Sequence, residues 1–195
     1  MEAVDTKTRL MLATVTAVRE FGYAGATMAR ISERAGVTRG AIQHCFGDRR
    51  VDLIFQTCED ILNRRQFEYR DSIESLLDIA VVRKKMKLAY RDPETWFLLE
   101  VWIASNSDPA LADKIDALLK TGFEGMLDSE LEKLARVTGA YPGNFTVVKC
   151  YFRSLTRGLA VEYSRSRDIT LFDSVVDLAV DMLETTLRAR SGPGS

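Results

Sequence analysis

Apolar residues recur every three or four positions along almost the whole chain, and no segment alternates strictly between apolar and polar. Only four prolines, Pro93, Pro109, Pro142 and Pro193, interrupt the pattern. A 3.6-residue period gathers such positions on one stripe of a helix but scatters them over both faces of a strand, so the chain is expected to be all-α. The stripes and their stop signals predict about nine helices. Three short ones come first, over about 6–21, 27–35 and 38–46, and longer ones follow over roughly 48–69, 72–90, 94–106, 109–137, 144–165 and 170–189. Pro93, Pro109 and Pro142 stand near helix starts, where a missing N–H does no harm, and Asn144 and Thr170 are the expected caps of the last two helices.

At 195 residues, 46% of them hydrophobic and 28% charged, the chain has enough apolar surface for a sizeable core without disulfides or metals. Cys45, Cys58 and Cys150 are an odd set with no close pair, so they read as reduced and structural. No apolar run reaches the length of a membrane span, and the Glu2 and Asp5 start lacks the basic and apolar regions of a signal peptide. The expected location is the cytoplasm, with no membrane partner. The formal net charge of −1 gives no global attraction to nucleic acid, so any phosphate contact has to come from a local patch. The first fifty residues hold eight Lys and Arg against five Asp and Glu, a local excess of three positive charges.

That excess coincides with "AGVTRGAIQHCF", residues 35–46, where a Gly36-Val37 turn joins two helices that Thr27 and Thr38 are placed to cap. Two short helices meeting at so tight a turn form a helix-turn-helix, which presents its second helix outward. Ile42 and Phe46, four apart, face inward; Thr38, Arg39, Gln43 and His44 face out. Arg bidentate to guanine and Gln bidentate to adenine are the side chains that read base edges in a major groove. Gly40, between Arg39 and Gln43, costs the helix about 1 kcal/mol relative to Ala, a cost intelligible where a phosphate or sugar approaches the backbone. Thr27 and Thr38, at helix starts, offer hydroxyl and N–H groups to phosphates. Arg49 at the next helix start opposes the helix dipole, a placement suited to an external anion, and is assigned to phosphate; Arg50 is not.

The stretch "FGYAGATMARISERAGVTRGAIQHCFGDRRVDL" resembles the TetR family of bacterial transcriptional regulators, and the resemblance runs from about Leu10 to Leu53. It reproduces that family's Gly-Tyr, the Thr opening helix two, and the Ala-Gly-Val-Ser/Thr turn. Gln43 stands where the family usually has Tyr, Cys45 where it often has His or Tyr, Ser32 for Ala, and Arg49 for a Lys whose charge it keeps. Position by position, the resemblance implies contacts with a double-stranded DNA operator at Thr27, Thr38, Arg39, Gly40, Gln43, His44 and Arg49. It also implies residues 1–47 as the DNA-binding domain, with the motif at about 27–46, and 48–190 as a ligand-binding and dimerisation domain. Residues 191–195, "SGPGS", read as a disordered tail.

One reading helix covers few base pairs, so a symmetric homodimer is expected, with two such helices about one DNA turn apart. Two stripes on the last two helices are candidates for the interface: Val148, Phe152, Leu155, Leu159 and Tyr163, then Phe172, Val175, Ala179, Met182 and Leu187. Ser154 and Gly158 beside them permit close approach. The same stripes also suit an intramolecular core; the family resemblance favours the interface. Trp96, Phe97, Trp102, Phe123, Met126 and Tyr151 exceed what a simple bundle needs and are candidate walls of a pocket for an apolar or amphipathic effector, with Glu100 as a candidate selector for a cation. Ligand binding is expected to act through the helix of about 48–69, which joins the two parts.

The whole reads as a ligand-released repressor. The alternative is a helical adaptor that binds proteins only, which accounts for the long amphipathic helices but not for Gly40 between Arg39 and Gln43. An enzyme finds little support: one histidine, no nucleophile elbow, no Gly-rich phosphate loop and no metal-ligand cluster, so no catalytic residue, metal or cofactor is assigned.

Overall fold

The first helix, α1 (Thr6–Gly25), starts from Asp5, whose carbonyl accepts from the Arg9 N–H at 3.0 Å. It breaks where the sequence places its stop, at Gly22, with φ 71° and ψ 170°. One further turn, Tyr23 to Gly25, follows the break. The computed structural model describes residues 5–70, 78–121 and 145–190, and every regular element among them is helical. After α1 come α2 (Met28–Ala35), α3 (Arg39–Phe46), α4 (Arg50–Arg70), α5 (Ile79–Ala89), α6 (Pro93–Ser105), α7 (Pro109–Thr121), α8 (Phe145–Ser166) and α9 (Ile169–Arg190). The parts of the expected helices over 72–77 and 122–137, the expected start at Pro142 and Asn144, and the tail 191–195 lie outside the described residues.

The helix starts follow side-chain chemistry. Asp78 accepts from the Ala80 N–H at 2.8 Å, Asp92 from Glu94 at 2.9 Å and Asp108 from Leu111 at 3.2 Å, each carboxylate satisfying an orphan donor. Pro93 and Pro109 take the first helical position behind the last two, as expected. The expected cap at Thr170 is corrected. Arg167, with φ 58°, ends α8, and the chain turns two residues early enough for Asp168 to accept from the Leu171 N–H at 2.9 Å.

The chain divides into two compact units, Met1–Arg65 with Trp96–Phe123, and Gln66–Thr95 with Glu124–Ser195. In the first, Leu10, Ala17 and Val18 of α1, Ile31 of α2, Ile42 of α3, Leu53 and Ile54 of α4, Phe97 of α6 and Leu111 of α7 are fully covered and belong to one cluster. The short helices therefore share their core with α4, α6 and α7. Arg9 ties α1 to the end of α2: its guanidinium donates to the carbonyls of Ala35 and Gly36, the latter at 3.1 Å. Arg34 of α2 pairs with Glu20 of α1.

In the second unit α5, α8 and α9 enclose Met86, Tyr90, Leu159, Ala160, Phe172, Val176 and Val180. Tyr90, Tyr163 and Phe172 meet edge to face, with centroids 5.4 to 6.2 Å apart, the arrangement ring quadrupoles favour. Beside this core runs an antiparallel charge ladder. Arg83, Lys87 and Arg91 lie at four-residue spacing and meet Asp181, Asp177 and Asp173, at 2.6, 2.7 and 2.5 Å respectively. Arg83 also reaches Asp177 at 3.0 Å, and Tyr90 Oη donates to Asp173 at 2.8 Å. Lys87, with Arg83, holds the Asp177 carboxyl below the usual carboxylate range.

Burial separates the two sides of α3, and stability is expected to do the same. Ile42→Ala removes a fully covered side chain and is expected to cost about 2–5 kcal/mol. The exposed Gln43→Ala should change stability by no more than about 0.5 kcal/mol. Urea unfolding followed by helical circular dichroism checks both; equal costs would contradict the division of faces.

Candidate nucleic-acid interface

The turn between α2 and α3 is made by backbone geometry that its residues dictate. Gly36 adopts φ 62° and ψ 39°, the left-handed region where a Cβ is unfavourable. The N–H groups of Gly36 and Val37 return to the carbonyls of Glu33 and Ser32, each at 3.1 Å, closing α2. Thr27 Oγ1 accepts from the Arg30 N–H at 3.3 Å and Thr38 Oγ1 from the Ala41 N–H at 3.2 Å, so both threonines cap the helices they precede. Gly47, at φ 83°, ends α3, its N–H returning to the Gln43 carbonyl at 3.0 Å.

Ile42 and Phe46 are buried on the inner side of α3, and Ala41 and Cys45 are half-buried beside them. Arg39, Gly40, Gln43 and His44 are exposed, as are Thr27, Thr38 and Arg49. Among the described residues neither Arg39 nor Arg49 is paired with a carboxylate. A Cβ built at Gly40 would meet only Thr38 Oγ1, at 3.7 Å, an ordinary contact. Nothing described in this chain requires glycine there.

Arg50, adjacent to Arg49 but not assigned to phosphate, has an internal role. Its guanidinium donates to the Tyr23 carbonyl at 2.5 Å and lies over the Tyr23 ring, 4.2 Å from its centroid. Tyr23 Oη donates to Asp108 Oδ2 at 2.7 Å, and the Tyr23 N–H to Glu100 Oε1 at 3.1 Å. Sequence reasoning missed this cluster. Its one local sign was the Gly22-Tyr23 pair at the end of α1.

The candidate pocket residues are not brought together within one unit. Phe97 is fully covered and belongs to the core cluster of the first unit. Glu100, the candidate cation selector, accepts from the Tyr23 N–H, which the break at Gly22 leaves without a helical partner. Trp96 is half-buried and Trp102 is 41% exposed; Tyr151, in the second unit, is 47% exposed. Phe123 and Met126 lie outside the described residues.

Several residues of the expected dimer stripe are covered within the chain. Phe152, Leu155, Leu159, Tyr163, Phe172 and Val175 pack in the chain's own core, with Ile79, Val82 and Met86 of α5 and Tyr90 just after it. Ala179 is buried, Val148 is half-buried and Met182 is 59% exposed; Leu187 falls where side chains are not described. The apolar side chains that α8 and α9 leave outside are Val147, Tyr151, Val161, Ile169, Leu171, Leu178 and Met182.

A capped two-turn helix presented by a left-handed glycine turn is the reading element of a helix-turn-helix DNA-binding protein. Residues 10–51 match the family described as bacterial regulatory proteins, tetR family. The chain is 27% identical over 183 residues to the HTH-type transcriptional regulator CymR of Pseudomonas putida, covering 89% of this chain and 86% of that one. Its fold is similar to the fatty acid degradation regulator FadR from Bacillus halodurans, with TM-score 0.69 and 18% identity over 94% of this chain and 96% of that one. It is also similar to FadR from Bacillus subtilis in complex with stearoyl-CoA, with TM-score 0.65 and 18% identity over 88% and 96%. A TetR-family regulator from Mesorhizobium loti aligns with TM-score 0.68 at 15% identity over 93% and 96%. Residues 10–51 thus match the TetR family of bacterial transcriptional regulators, and the chain over most of its length is similar to an HTH-type transcriptional regulator.

Burial, reinforced by the hydrogen bond to Asp108 and opposed by Arg50, pushes the Tyr23 phenol up to about 12. Burial and Asp173, opposed by Arg91, do the same for Tyr90. Both folded values lie above the ordinary 10.0, so the stability they supply is whole below that value and is lost as pH rises through about 12. In an alkaline titration of phenolate absorbance, two of the six tyrosines should ionise late, together with loss of helical signal. Ionisation of all six near the ordinary value with the helices intact would contradict these environments.

Proposed function

We propose that the protein is a homodimeric repressor that reads a double-stranded DNA operator through α3 and leaves it on binding a small apolar or amphipathic effector. The observation that carries the DNA reading is the outer face of α3: Arg39 and Gln43 exposed and unneeded by the core, with a glycine between them that the chain itself does not call for. Arg39 and Gln43 read base edges, as bidentate geometry allows. Thr27, Thr38, the Gly40 backbone, His44 and Arg49 hold phosphates and set the register. Residues 1–47 serve as the DNA-binding part and 48–190 as the effector and pairing part, in the cytoplasm where the operator is. The relatives are regulators, and we assign no catalytic step, metal or cofactor.

The stearoyl-CoA in the Bacillus subtilis FadR structure, an amphipathic molecule with a long apolar tail, supports an effector of that class. Binding would favour the form with the wrong spacing of the two α3 helices, reached through α4. For pairing we propose the outer faces of α8 and α9. Tyr151, Ser154, Gly158 and Val161 follow one stripe, and Leu171, Ser174, Leu178 and Met182 another, each at three- and four-residue steps. A Cβ at Gly158 would meet no described atom within 4 Å, which leaves room for another helix to come close.

Fluorescence anisotropy with a duplex selected by the protein from random sequences tests the reading. Arg39→Ala and Gln43→Ala should each lower discrimination against single-base changes by about 1–3 kcal/mol. Arg49→Ala should weaken all duplexes alike and reduce the slope of log affinity against log salt by about one. A chain that pairs but favours no duplex at any salt concentration would be the adaptor instead.

Pairing has its own check. Leu178 is 61% exposed, so Leu178→Asp should leave the subunit folded but shift sedimentation from dimer to monomer. A wild type that sediments as a monomer, or a Leu178→Asp variant that still pairs, would remove this face from the interface.

A further inference from the structure

Three anchors from outside the reading helices converge on one residue. Tyr23 gives its N–H to Glu100 of α6 and its hydroxyl to Asp108, the cap of α7, while its carbonyl and ring are both engaged by Arg50, the first residue of α4. It stands directly after the break at Gly22 and four residues before Thr27, the cap of α2. The Ala26 N–H returns to the Gly22 carbonyl at 3.0 Å, so the short link between them is itself closed. A Cβ at Gly22 would come within 3.1 Å of Glu100 Oε1, which shows how closely α6 is applied to this break.

We propose that Tyr23 is a positioning residue for operator recognition: it pins the α2–α3 pair to α6 and α7, and so sets the pose in which α3 enters the groove. The inference rests on the DNA reading proposed above. It adds a route to the reading helix that does not run along α4. A shift of α6, or of the link before α7, moves Glu100 or Asp108 and is passed through Tyr23 to the start of α2.

Position and stability can be told apart here because the hydroxyl is a narrow target. Tyr23→Phe keeps the ring under Arg50 and keeps the N–H bond to Glu100. Asp108 retains the Leu111 N–H at 3.2 Å and still caps α7, so the substitution leaves no buried carboxylate without a donor. What disappears is the pin itself.

The test compares affinity for the selected duplex with affinity for a scrambled duplex of equal length. Tyr23→Phe should lower that ratio roughly tenfold, with the thermal midpoint within about 4 °C of wild type. In a cycle with Asp108→Ala, the double variant should lose no more of the ratio than Asp108→Ala alone, since both act on one bond. A Tyr23→Phe ratio reduced by less than about fivefold overturns the inference. So does an equal weakening on both duplexes, the sign of a smaller folded fraction, and so do additive losses in the cycle. A wild type that favours no duplex fells the DNA reading itself, an outcome distinct from a selective wild type that Tyr23→Phe leaves unchanged.

Discussion

Eight residues cannot keep a helix in water, because isolated helices shorter than about 12–15 residues are marginal even with good formers. Both α2 and α3 have that length, so each exists only while its inner residues are covered. For α3 the cover falls on Ile42 and Phe46, inside a cluster that draws on α1, α4, α6 and α7. Thr27 and Thr38 satisfy one orphan donor each, and Arg9 occupies the last carbonyls of α2. With the helices held from behind, the outward residues are released from any structural duty. That release is what lets Arg39, Gly40, Gln43 and His44 be chosen for something outside the chain.

The reading end was legible in the sequence because its determinants are local. A glycine turn, two capping threonines and a four-residue apolar step act within twenty residues, and each appears as expected. Longer-range assignments fared differently. A stripe such as Phe152, Leu155, Leu159 and Tyr163 announces that one side of a helix is covered; it carries no information about the cover. Here α5 is the cover, and the outer apolar stripe was hidden in the periodicity by polar and small residues such as Ser154, Gly158 and Ser174. Glu100 shows the same limit for a charge, since its partner is a backbone N–H freed by a glycine 78 positions earlier. Thr170 lost the cap to Asp168 because both have capping chemistry, and only the Arg167 backbone decides between them.

The cations of the N-terminal region divide in a way that composition cannot show. Arg9 is spent on the carbonyls of α2, Arg34 on Glu20, Arg50 on Tyr23, and Arg30 on the Gly25 carbonyl and the Phe21 ring. Arg39 and Arg49 have no carboxylate partner among the described residues. A local excess of three positive charges is therefore a poor measure of what is available to phosphate. The disposition of individual guanidinium groups is the better one, and among the described residues it leaves Arg39 and Arg49, on and beside the outer face of α3, without a carboxylate partner.

In the second unit, α9 carries three distinct faces. Phe172, Val176 and Val180 enter the core; Asp173, Asp177 and Asp181 meet the basic edge of α5; Leu171, Leu178 and Met182 face outward. A helix in a small soluble unit ordinarily needs one apolar stripe. The ladder already fixes the register of α9 on α5, so the outer leucines add nothing to that packing, and leaving them in water forgoes about 25 cal/mol for each Å². In the proposed pairing a second copy would recover that loss on both partners at once, because a two-fold axis would set each outer face against its own counterpart. The charge ladder thus does for α9 what Ile42 and Phe46 do for α3. In both helices, one side is secured within the chain while the opposite side stays exposed.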